Sequence, residues 1–328
     1  MPRIMRWHLK QFFALAWLTA LEAIRQPVFL LLMAVTVFFA ALLPLITAHT
    51  MGEAERMVRD SALALHFVAG LVLGSYLACA ALQHEIRRGT VAAILSKPVG
   101  RITLFLAKFA GIALVMLFFS AALTITTILS TRAAAPENYV DWWAAGPLLA
   151  TVPVAFLIAG IINYVTRRPF VSNAFMLLVL ALGVALLFSG FFSDTGHVVK
   201  WGQPLPWKIL PAGALIALAI LMLSAFALLL ATKLDVVPTL SLCSVIFLLG
   251  LMSDNLFGRA AATSKLSAAL YGVIPNLQQF WLADALAGDG VIPWAYVGAA
   301  ALYALCHLVF VLALGMFVFN RIEVRAAA

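Results

Sequence analysis

The chain has 328 residues, of which 65% are hydrophobic and 10% charged. Soluble domains are about half apolar and about a quarter charged, so a water-facing fold could not cover this much apolar surface; the bilayer must be the solvent for most of it. The formal charge of +8 sits at the ends of apolar runs, where contact with anionic lipid and the positive-inside rule place it. There is no basic face with interleaved aromatics, so nucleic acid is excluded as a partner.

In chain order, Arg3, Arg6 and Lys10 open an apolar stretch that ends in Glu22, Arg25 and Pro27 without a small-residue cleavage site. It does not read as a cleaved leader. On a 100° wheel Arg3, Arg6, Lys10, Glu22 and Arg25 share one arc, which predicts an amphipathic interfacial helix over 3–25. Ala14, Leu18 and Leu21 lie on the same arc, so a helix running straight into the first span is the alternative.

A spanning helix needs about 20 mostly apolar residues. Eight such runs occur, at 27–48, 61–84, 102–130, 145–165, 169–192, 209–232, 236–254 and 292–319. The predicted fold class is therefore an all-α polytopic membrane protein of about eight transmembrane helices, forming one transmembrane domain over 1–328. Pro153 and Pro238 fall inside two of the runs, which membrane helices tolerate when neighbours satisfy the freed carbonyls. The segment 255–291 mixes apolar residues with Pro275, Asn276, Gly288 and Gly290, and predicts short outer re-entrant or interfacial helices. Tyr271, Phe280 and Trp281 suit an interface there.

Orientation follows from Lys and Arg. With eight alternating spans and the N-terminus inside, fourteen of the 21 basic residues face inward and seven outward. Both termini are thereby predicted cytoplasmic. Arg56, Arg59, Arg132, Lys200, Lys208, Arg259 and Lys265 fall on the outer side. Lys108 counts as inner, about two turns into its helix and able to snorkel back to the interface.

The inner connection at 85–101 is the most informative. Gly89 can end the preceding helix at a C′ position, and Thr90 can N-cap a new one. Lys97 precedes Pro98, which stops it, giving a helix of about six residues, roughly 9 Å long. Val91, Ile94 and Leu95 form one apolar face, flanked by Arg87, Arg88, Lys97 and Arg101. Such a rod either docks into a protein groove or lies on the bilayer with its apolar face down.

The run Glu85, Gly89, Thr90, Val91, Ile94, Leu95, Ser96, Pro98, Arg101 and Lys108, written E-x-x-x-G-T-[apolar]-x-x-[apolar]-L-[ST]-x-P-[apolar]-x-R with a Lys seven residues on, resembles the signature loop of the type-2 exporter (ABC-2 type) permeases of ATP-binding cassette transporters. The resemblance covers residues 85–108. It implies that 85–101 is a coupling loop seated in a separate cytoplasmic ATPase. Val91, Ile94 and Leu95 would be its docking face, with Gly89, Thr90 and Pro98 as boundaries and Arg87, Arg88 and Arg101 as electrostatic guides. Glu85 would position those cations or the partner. The resemblance further implies a second permease chain, residence in a bacterial cytoplasmic membrane, and ATP and Mg carried by the ATPase with no cofactor in this chain, which has no G-x-x-x-x-G-K-[ST] run. The segment 255–291 is similar to the re-entrant helices before that family's last span. The family commonly has six spans, so residues near 132–205 read as an inserted helical pair.

Other polar residues carry less. His66, His84 and His307 form no metal-binding run; His66 and His307 lie deeper in spans. Asp235 and Asp254 sit at span ends, and the near-absence of charge at span centres argues against an ion-driven carrier. Thr124, Thr126, Thr127, Asn163, Tyr164 and Asn173 can line a path or make interhelical hydrogen bonds. Cys79, Cys243 and Cys306 read as packing residues. Competing readings are an integral membrane enzyme acting on lipid-type substrates and a membrane scaffold through which an ATPase does mechanical work.

Overall fold

The structure, a computed structural model, describes residues 2–47, 53–87, 100–134, 139–258, 264–287 and 290–321, with side chains from residue 9 onward and without those of 84–87. Among the described residues there is no β-strand, only an isolated bridge between Phe192 and Val198. The helices are α1 (Pro2–Ile24), α2 (Pro27–Thr47), α3 (Ala54–Arg87), α4 (Arg101–Ala133), α5 (Trp142–Thr166), α6 (Phe170–Phe191), α7 (Leu210–Ala231), α8 (Val236–Leu251), α9 (Lys265–Val273) and α10 (Trp294–Asn320). Seven of them are long and apolar enough to cross a bilayer.

The predicted span at 236–254 is the shorter helix α8, of 16 residues. That is about 24 Å, short of a hydrocarbon core of about 30 Å. A π-helical turn at Asp254–Gly258 follows it. Pro238 costs α8 nothing, because it stands in the first turn where no intrahelical acceptor awaits its missing N–H.

Burial sorts the helices. In α3 and α4, and in the span Trp207–Ala231 that contains α7, 67% of the most apolar window is buried. In α5, α6 and α10 the share is 28%, 33% and 22%. The first three form the centre, and the predicted inserted pair α5–α6 lies at the periphery with large apolar side chains such as Leu157, Met176 and Leu180 exposed. In a bilayer those residues meet lipid, so their exposure carries no hydrophobic cost. Small residues let the central helices approach: a Cβ added at Gly74 of α3 would lie 2.4 Å from Ser224 Oγ of α7.

The side-chain contacts join helix ends as an alternating up-and-down path requires. On the face that carries the N-terminus, the near face, Tyr76 bonds Gln26 at 3.4 Å and Gln83 bonds the Ala231 carbonyl at 3.5 Å. On the far face, Lys208 meets Glu55 at 3.6 Å and Arg59 bonds the Leu286 carbonyl at 2.8 Å. Helix α1 packs along the start of α4, burying Thr19, Ala20 and Ala23 and leaving Leu9, Phe13, Trp17 and Leu18 outward. An outward apolar stripe beside a spanning helix suits contact with lipid.

In the segment 255–291, expected as outer re-entrant or interfacial helices, the described residues form α9 and two 3-10 turns, Leu277–Phe280 and Asp284–Leu286. Phe280 is not interfacial, however: it is buried, and Trp281 stacks on Phe67 of α3 with ring centroids 6.3 Å apart. These rings anchor the segment inward.

Candidate functional site

The near-face connection between α3 and α4 is the predicted docking site. Residues 88–99 lie outside the described residues, and with them the expected short helix and Arg88, Gly89, Thr90, Val91, Ile94, Leu95 and Pro98. Glu85 and Arg87 stand on the last turn of α3. The departing end is described in full. Gly100 is extended and Arg101 opens α4. The Arg101 guanidinium donates to the Asn320 carbonyl at 3.0 Å, at the end of α10. A cation there complements the exposed carbonyls that close a helix.

Lys108 corrects one expectation. It does not snorkel to the interface but is buried, with its ammonium 3.8 Å from the Glu22 carboxylate on α1. One turn further, Gly111 admits α1 closely: an added Cβ would lie 2.5 Å from the Ala16 carbonyl oxygen. The two motif cations whose side chains are described thus hold the loop's exit to the first and last helices of the chain. Beside the loop's entry, a cavity of about 420 Å³ opens between the starts of α2 and α8 and the end of α3, lined by Gln26, Tyr76, Gln83 and Asp235 among others.

Three polar clusters were not legible in the sequence as sites. On the far face, Arg132 and Arg59 are not loop cations. Arg132 lies in the last turn of α4, 3.1 Å from Asp141, and donates to the Ser189 and Phe192 carbonyls at the end of α6. Asp141 N-caps α5 by accepting from the Trp143 amide at 2.8 Å. One guanidinium therefore ties three helix ends. Burial pushes the Asp141 carboxyl above the usual carboxylate range, opposed by the Arg132 charge and the Trp143 and Ala144 amides. Arg59, also buried, bonds Asp60 at 3.0 Å besides the Leu286 carbonyl, and so holds the turn at Asp284–Leu286 to α3.

The second cluster surrounds Asp254, which accepts from Tyr271 and Asn276 at 2.7 Å each. Asn276 in turn donates its backbone N–H to the Tyr303 hydroxyl at 2.9 Å, and the Tyr303 ring lies tilted against His307 with centroids 4.5 Å apart. The third is His66, fully buried on α3, whose Nε2 lies 3.0 Å from Ser120 Oγ on α4.

The remaining polar candidates are structural. Thr124, Thr126 and Thr127 each return their hydroxyl to the carbonyl four residues back at 2.8 Å. Asn163 closes α5 through the Arg168 carbonyl at 2.6 Å, and Tyr164 is exposed. Asn173 keeps a buried amide nitrogen with no partner among the described residues. Cys79 and Cys243 are buried and Cys306 faces outward, all three free. Among the described residues no three His, Cys, Asp or Glu side chains converge as a metal site.

Apolar helices of spanning length packed around a buried interior define an all-α polytopic integral membrane protein. No protein-family model matches the chain, and no curated protein matches it.

Proposed function

We propose that the chain is the membrane-spanning permease subunit of an ATP-binding cassette transporter, an exporter of the type-2 class, set in a bacterial cytoplasmic membrane with both termini cytoplasmic. It couples ATP hydrolysis in a separate ATPase to movement of a substrate, and works with a second permease chain. The observation that carries this reading is the run from Glu85 to Lys108, in which a glycine, a capping threonine, an i, i+3, i+4 apolar face, a proline and a terminal arginine occur in that order.

The fold supports the reading in two respects. The run joins α3 and α4, two of the most buried helices, so a push on it reaches the centre of the bundle. Its exit is fastened to α1 through Lys108 and to α10 through Arg101, so a displacement there is shared by elements at both ends of the chain.

Gentle isolation of the tagged chain from its native membrane tests the proposal. A nucleotide-binding protein recovered in stoichiometric amount is the expected result. Recovery of the intact chain without one, together with labelling of 85–101 by an impermeant reagent applied outside intact cells, overturns it.

A further inference from the structure

The peripheral pair α5–α6 turns on the near face through Arg167, Arg168 and Pro169, between helices whose large apolar side chains are exposed. Helix α5 begins on the far face at Trp142 and Trp143, both exposed. Such rings settle where headgroups meet hydrocarbon. From Trp142 to Arg167 the helix covers about 37 Å at 1.5 Å per residue, or about 35 Å along the bilayer normal at a common tilt of about 20°. The hydrocarbon core is about 30 Å thick. Arg167 and Arg168 therefore stand in the headgroup layer of the opposite leaflet, at the level of the lipid phosphates.

Arg167 has φ 56° and is the one non-glycine residue with positive φ among the described residues. It closes α5, its backbone N–H donating to the Asn163 carbonyl at 2.9 Å. Glycine is the usual residue at such a place, because it takes the left-handed conformation without strain. The Asn163 side-chain amide donates to the Arg168 carbonyl at 2.6 Å and fixes the turn. Both arginines are exposed, and neither guanidinium has an ion pair, side-chain hydrogen bond or ring contact among the described residues. Other near-face cations are engaged: Arg101 with the Asn320 carbonyl, Lys108 with Glu22, and Arg321 over the Phe317 ring at 4.1 Å. Between Asp141 and Asp194 these two arginines are the only charged residues, so the pair of helices holds no counter-charge of its own.

A counter-charge at that depth, beside helices that face lipid, belongs to a lipid headgroup. A zwitterionic headgroup brings an ammonium that two arginines repel; an anionic one brings only phosphate oxygens, which guanidinium groups bind as forked donors. We propose that the α5–α6 turn binds the phosphate of an anionic phospholipid through Arg167 and Arg168, with the acyl chains against the exposed apolar flanks of the two helices. The pair is then held at both leaflets, by tryptophan at one and by lipid phosphate at the other. The site requires neither an ATPase nor a particular orientation of the chain.

The test uses the full chain in phosphatidylcholine nanodiscs that contain a small fraction of photoreactive lipid, either phosphatidylglycerol or phosphatidylcholine, with a diazirine next to the ester of one acyl chain. Cross-links on 161–170 are mapped by mass spectrometry. They are normalised to those on Trp294, which is exposed at the far-face end of α10 in a stretch, 266–320, without Lys or Arg. Phosphatidylglycerol labels the turn roughly fivefold or more above phosphatidylcholine, the worth of about one surface arginine. Arg167→Gly, which also relieves the backbone, gives an intermediate ratio, and Arg167→Gly with Arg168→Gln brings the ratio to one. Lys233→Gln, which removes an exposed charge from another near-face turn, leaves it unchanged. Parental labelling of Trp294 shows each variant seated in the bilayer. Equal labelling of the unsubstituted chain by the two lipids overturns the proposal, as does a preference that survives the double change or that Lys233→Gln removes as well. Loss of the preference to inorganic phosphate, at an ionic strength where chloride leaves it intact, assigns the turn to a soluble anion and overturns it too.

Discussion

The Arg132 guanidinium and the Asp141 carboxylate meet at 3.1 Å with both side chains excluded from the surface, 4% and 1% exposed. Breaking a buried pair by removing one partner costs about 3–5 kcal/mol, because the survivor is left charged and uncompensated. Asp141→Ala and Arg132→Met are each expected to lower unfolding stability by about that amount. Arg132→Met should be the more damaging, since it also strands the Ser189 and Phe192 carbonyls. Equilibrium unfolding in mixed micelles measures this, and variants as stable as the parent would remove the node from the account of the fold.

The seat of α1 on α4 makes a second prediction. Gly111→Val places side-chain carbon where the Ala16 carbonyl already lies, 2.5 Å from an ideal Cβ. Backbone cannot give way as a flexible side chain would, and overpacking costs about 1–3 kcal/mol. Hydrogen exchange should show α1 loosened while α3 and α7 stay protected. Unchanged protection across 9–24 would contradict the close approach.

The far-face loop carries a pH signature. The Tyr139 hydroxyl donates to Asp194 at 2.7 Å. This bond holds the Asp194 carboxyl below the usual carboxylate range and pushes the Tyr139 phenol above its ordinary value. A depressed acid adds stability that is fully present above the unfolded carboxylate value of about 4 and is lost as pH falls through the lower folded value. A raised phenol keeps the contact intact below the unfolded tyrosine value of about 10 and loses it as pH rises through the higher folded value. The contact should thus be flat across neutral pH and fail at both extremes. Tyr139→Phe should raise the Asp194 titration, with the Thr195 amide still holding the carboxylate; carboxyl NMR follows it, and no change in that titration would sink the assignment.

For the loop itself, the double change Ile94→Asp and Leu95→Asp removes the apolar face proposed to dock. It should abolish recovery of the ATPase while leaving membrane insertion and the far-face network intact. Association that persists through both substitutions would place the docking surface elsewhere.

The spans were legible because a run of about 20 apolar residues has few alternatives in water. Their ends were not. Arg59 and Arg132 looked like loop cations because hydropathy rewards their placement in water, and it does not register that Leu286 and Asp141, remote or across a turn, can satisfy them. Lys108 was placed at the interface by the same logic, yet its side chain is buried and pairs with Glu22, an exposed carboxylate on a neighbouring helix. The His66–Ser120 contact spans 54 residues of sequence, and two isolated polar residues in separate apolar runs carry no spacing signal.

Composition and periodicity by themselves determined that this chain lives in a bilayer as about eight helices, and where its distinctive near-face run lies, since both are local properties of apolar length and residue order. Which helices occupy the centre, which cations are buried and what each one holds were decided only by tertiary structure. Those outcomes depend on pairings between segments far apart in the chain, where a buried charge or hydroxyl is tolerable only if a distant partner arrives to meet it.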